Sequence, residues 1–97
     1  MISIRARLFD YCQEALDHYG GTLQADKCIE ECRELDDALI VWKRGGYMAH
    51  DCPGVLDEIA DVIIMVEQMR IAFGAKAVDD RIAFKIERQR QRMREGE

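Results

Sequence analysis

Two acidic pairs carry the chemistry that this chain's residue types and spacings offer. Glu31 and Glu34 stand in Lys27-Cys28-Ile29-Glu30-Glu31-Cys32-Arg33-Glu34-Leu35. Glu58 and Asp61 stand in Asp57-Glu58-Ile59-Ala60-Asp61-Val62. Residues three apart on a helix share a face, so each segment presents two carboxylates side by side. Four carboxylates on two facing helices make a site for hard divalent cations. Mg²⁺ and Mn²⁺ prefer oxygen ligands and keep some water, which leaves positions for a substrate phosphate. A single Glu-x-x-Glu pair is ordinarily just a solvated face. The second pair resists that reading, because it lies on the most apolar segment of the chain. Burying an unpaired carboxylate is costly without a compensating charge or hydrogen bond.

Four helices must position these groups. Gly20-Gly21, Gly45-Gly46, Gly54 and Gly74 punctuate the chain, Pro53 is its one proline, and no stretch alternates as a strand would. The expected first helix covers about 3–18 and ends at Gly20. The second runs from Thr22 or Leu23 to Trp42, with an apolar stripe of Cys28, Cys32, Leu35, Leu39 and Trp42. Glu31 falls at the edge of that stripe. The segment 43–52 reads as a loop. The third helix runs from Pro53 or Gly54 to Phe73 and is apolar almost all round, which predicts burial by the other helices and by a second subunit. The fourth starts at Asp79 or Asp80, either of which can cap it, and runs to about Arg94. It carries a narrow apolar stripe of Ile82, Ile86 and Met93 beside a basic one of Arg81, Lys85, Arg88 and Arg92.

Ninety-seven residues suggest one domain, 1–97, with a core small enough to need a partner chain. The expectation is an all-α four-helix bundle completed by homo-oligomerisation. Net charge is −5 but unevenly spread. Residues 81–97 hold six Lys/Arg against three Glu, and residues 1–80 hold eight against sixteen Asp/Glu. An acidic body with a basic tail helix argues against nucleic acid as partner and suits metal in the body and phosphate at the tail. The longest apolar run, Val62–Val66, is too short to span a bilayer, and no cleavable signal is evident. The default expectation is therefore a cytoplasmic protein without a membrane partner. Disulfides are then not expected among Cys12, Cys28, Cys32 and Cys52. Cys28 and Cys32 read as small core residues. A zinc site of Cys28, Cys32, His50 and Cys52 would match no established finger spacing.

The bipartite pattern Glu31-x-x-Glu34 … Glu58-x-x-Asp61, with its flanking residues, resembles the MazG-type all-α nucleoside triphosphate pyrophosphohydrolases. The resemblance covers about 23–92 and is strongest over 27–39 and 57–66. It implies an Mg²⁺-dependent hydrolase that converts a (deoxy)nucleoside triphosphate to the monophosphate and pyrophosphate, with Mn²⁺ as a substitute ion. It implies further that Glu31, Glu34, Glu58 and Asp61 coordinate the metal and that Glu30, with Glu31, serves catalysis by orienting the attacking water. Lys27, Lys85 and Arg88 are the implied substrate contacts, and a homodimer or dimer of dimers is the implied assembly. Gln89 stands near where the family's fourth helix often carries asparagine, which departs from its phosphate-contacting pattern. For the base, Trp42, Tyr47, His50, Phe9 and Tyr11 are candidates, with Trp42 better read as packing. Two alternatives stand beside this reading. A phosphoribosyl-ATP pyrophosphohydrolase would ordinarily show a Leu-Leu-Tyr-His-like run where Val62-Ile63-Ile64-Met65 stands. A non-catalytic helical interaction module would not need all four carboxylates.

Overall fold

The computed structural model describes residues 1–45 and 53–96. Among them the chain forms four α-helices and no strand: α1 Ile4–Tyr19, α2 Gly21–Arg44, α3 Pro53–Phe73 and α4 Ala75–Arg94. No helix among the described residues is long and apolar enough to cross a membrane. Tyr47, His50 and Cys52 lie outside the described residues.

The Ser3 hydroxyl caps α1 by accepting the Ala6 N–H at 3.1 Å. Gly20 closes the helix, donating its own N–H to the Leu16 carbonyl at 2.9 Å. Its φ of +86° and the +114° of Gly74 lie where an L side chain is strained. These two glycines therefore allow α1 to pass into α2, and α3 into α4, with almost no intervening chain. α2 continues through Lys43 and Arg44, two residues into the expected loop.

α4 begins four residues earlier than expected. Ala75, Lys76 and Ala77 are good helix formers, and Gly74 has already turned the chain. Asp79 therefore does not cap the helix. It lies inside the helix and accepts two hydrogen bonds from the Arg70 guanidinium, each at 2.8 Å. That fork holds the Asp79 carboxyl below its ordinary range and the Arg70 guanidinium above its own. It ties the start of α4 to the end of α3.

α3 packs against both α1 and α2. The buried apolar residues among those described are Cys12, Ala15 and Met65, and the buried polar ones are Gln24, Glu31 and Gln68. Cys12 donates its S–H to the Ile64 carbonyl at 3.3 Å. Burial, and then the charge of Glu67, push its thiol up to about 11, so it is an inert packing residue.

The expectation that α3 is buried on most sides does not hold within one chain. Leu56, Ile59, Ile63, Val66 and Phe73 remain exposed, Phe73 by 80%. Two neighbouring helices cover only part of a cylinder that is apolar almost all round. α4 buries no residue, and every side chain from Asp79 to Gln91 is exposed.

The second departure lies on α2. The face toward α3 carries Gln24, Cys28, Glu31, Leu35, Ala38 and Trp42, so Glu31 sits at the centre of the buried stripe rather than at its edge. Cys32 is exposed instead of core, Leu39 is exposed, and Cys28 is half-buried. On α3 the Gln24 side chain finds Gln68 as its hydrogen-bond partner, a pairing that apolar periodicity does not register.

Candidate metal centre

α2 and α3 run antiparallel, since Gln24 meets Gln68 while Glu31 meets Glu58 and Asp61. Glu31 offers an oxygen to two overlapping groups. Glu30, Glu31 and Glu34 form one, and Glu31, Glu58 and Asp61 form the other. Within each group the ligand atoms lie within 4.8 Å of one another. The spacing of three on each helix thus brings both acidic pairs to one place. Glu31 is 7% exposed and Glu58 half-buried, whereas Glu30, Glu34 and Asp61 are exposed. The cluster therefore has a buried floor and an open rim.

Its charges are poorly compensated. Among the described residues Lys27 is the cation within ion-pair distance, its Nζ 3.3 Å from Glu31 Oε1 and 3.6 Å from Glu30 Oε1. The hydrogen bond with Glu31 and the two carboxylate charges hold the Lys27 ammonium above its ordinary value. Glu31 Oε2 and Glu58 Oε2 are buried with no hydrogen-bond partner among the described residues. Loss of water raises the Glu58 carboxyl, as do the charges of Glu31, Asp61 and Asp57, while a hydrogen bond from Glu34 pulls the other way. Glu34 is raised by its hydrogen bond with Glu31, then by that residue's charge. Buried polar atoms are almost always satisfied, so two carboxylates of one cluster that each keep an orphaned oxygen fit a divalent cation.

The sign of the resulting pH dependence follows. Groups with a raised folded value bind protons more tightly folded than unfolded. In the metal-free protein the contribution of Glu34 and Glu58 should therefore be lost as pH rises above about 4.5, the ordinary carboxylate value, whereas the Asp79–Arg70 contribution is lost only as pH falls below about 3.8. Melting curves across that range check this, and a flat or rising profile would contradict it.

The remaining candidates are distributed differently. Lys85 and Arg88 are exposed on α4, and among the described residues neither forms an ion pair with the cluster. The Arg88 guanidinium lies 5.8 Å from the centroid of the Phe84 ring. Trp42 is half-buried, while Phe9 and Tyr11 are exposed on α1.

Sequence reasoning missed the Gln24–Gln68 pair. Gln24 Nε2 donates to Gln68 Oε1 at 2.7 Å, and Gln68, fully buried, donates to Met65 Sδ at 3.6 Å. The signal was present. Gln24 is seven residues before Glu31, and Gln68 seven after Asp61, so both extend the carboxylate faces by two turns. Searched against family models, curated proteins and solved structures, the chain matches none of them.

Proposed function

We propose that the chain is a divalent-metal-dependent pyrophosphohydrolase of nucleoside triphosphates, of the MazG type, acting as a homo-oligomer. The observation that carries this reading is the meeting of the two acidic pairs at Glu31, where Glu31 and Glu58 each keep a buried oxygen with no hydrogen-bond partner among the described residues. Glu31, Glu34, Glu58 and Asp61 would hold Mg²⁺, with Mn²⁺ as a substitute. When bound, the metal neutralises phosphate charge and makes water a better nucleophile near neutral pH.

The protein's own groups do the rest. Glu30, exposed beside Glu31, accepts the proton of the attacking water at its carboxylate. Lys27 anchors Glu30 and Glu31 and has enough exposure to contact phosphate. Among the described residues Lys85 and Arg88 form no ion pair, so their phosphate contacts are assigned to the assembled oligomer. The open apolar faces of α3 and α4 support that assembly, because contiguous exposed apolar surface marks interaction sites.

A panel of NTPs and dNTPs with Mg²⁺ tests the reaction, with phosphoribosyl-ATP included. Pyrophosphate should be released from at least one nucleoside triphosphate. Release of orthophosphate alone, or of nothing, would overturn the proposal, and turnover of phosphoribosyl-ATP alone would move it to that substrate. Light scattering at micromolar concentration should give at least twice the 11.2 kDa of one chain. Ile63→Asp combined with Val66→Asp should return the monomer.

A further inference from the structure

The carboxylate centre leaves the neighbouring face of α2 without a role. There Cys28 and Cys32, with Met69 from α3, line an open, largely apolar groove of about 490 Å³. Both cysteines are free, Cys32 exposed and Cys28 half-buried. One helical turn separates them, so their Cβ atoms lie about 5–6 Å apart on one face.

We propose that this groove binds one soft monovalent cation, Cu(I), between Cys28 Sγ and Cys32 Sγ, with Met69 Sδ as third donor. Thiolate and thioether ligands select Cu(I), whereas carboxylates select hard ions such as Mg²⁺. Three sulfurs in one apolar groove are a donor set unlike the oxygen cluster beside Glu31. The two faces of α2 would therefore discriminate between ions by donor type alone.

Binding is a ligand exchange in which no electron moves. Two S–H bonds lose their protons to solvent, two Cu–thiolate bonds and one Cu–thioether bond form, and the ion's bonds to its carrier chelator break. The resulting bis-thiolate carries one net negative charge, and Arg33, which also lines the groove, sets a cation beside it. Among the described residues Asp36 is the one carboxylate in the lining and is a poor ligand for so soft an ion.

The reduced full chain, titrated anaerobically against a chromophoric Cu(I) chelator such as bicinchoninate, provides the test. It should withdraw one equivalent of Cu(I) per chain. Cys28→Ser and Cys32→Ser should each abolish that withdrawal, and Met69→Leu should weaken it. Cys52→Ser and Glu34→Gln should leave it intact, with helical circular dichroism reporting that each variant folds. Failure of the native chain to compete, or retention of full affinity by Cys28→Ser or Cys32→Ser, would overturn the site. Loss of binding in Cys52→Ser would overturn it equally, and unchanged affinity in Met69→Leu would strike Met69 from it.

Discussion

Glu31→Gln should abolish pyrophosphate release and, in the same protein, raise the melting temperature measured without metal. Glu31 belongs to both acidic groups, so its loss removes the oxygen they share. A metal ligand supplies several kcal/mol of transition-state charge stabilisation, which sets the expected loss at a thousandfold or more, at roughly 1.4 kcal/mol per decade. The stability effect runs the other way. The native carboxylate is buried, has an orphaned Oε2 and sits against other acids. Gln of equal length removes that charge while keeping the volume, and the forfeited pair with half-exposed Lys27 is worth little. A gain of about 1 kcal/mol would appear as a shift of about 4–8 °C for a chain of this size. Retained turnover, or a lowered melting point, would count against the metal reading of this cluster.

The second large effect is expected at Gln68. Gln68→Leu leaves the Gln24 side chain buried without its 2.7 Å partner, and an unsatisfied buried amide costs about 1–3 kcal/mol. With Cys12, Ala15 and Met65 as the buried apolar side chains among the described residues, such a loss is a large part of what one chain has. The double variant Gln24→Leu with Gln68→Leu should recover most of it, since replacing both partners by apolar groups removes the penalty. Chemical denaturation of the three proteins measures the difference. A double variant as unstable as the single would assign the cost to packing instead.

The helices were legible because their punctuation is local. Ser3, Gly20, Pro53 and Gly74 act on the chain within a residue or two, and α1 to α3 begin and end within about two residues of where those signals place them. The start of α4 was not, because Asp79 satisfies a capping rule equally well as the salt-bridge partner of Arg70, and only the fold decides between the two roles. The four carboxylates were legible through their spacing, which survives any small rotation of α2. The centre of the α2 stripe was not. Apolar periodicity favours Cys32 and Leu39, whereas α3 offers Gln24 a polar partner in Gln68 and sets the acids Glu58 and Asp61 against Glu31, which no periodicity records. Lys85 and Arg88 form a basic stripe in the sequence, but a stripe carries no information about which surface it will meet.

The Gln24–Gln68 hydrogen bond has a consequence beyond its energy. Gln24 lies as far before Glu31 as Gln68 lies after Asp61, so the two contacts are teeth of one antiparallel rack. Aliphatic side chains would tolerate a slide of one turn between α2 and α3, because one leucine fills a gap much as the next does. An amide pair does not, since a slide strands both amides at once. The polar pair thus works as an alignment gauge set two turns from the acidic cluster. It selects, from the several ways these two helices could mesh, the one that brings the four carboxylates level.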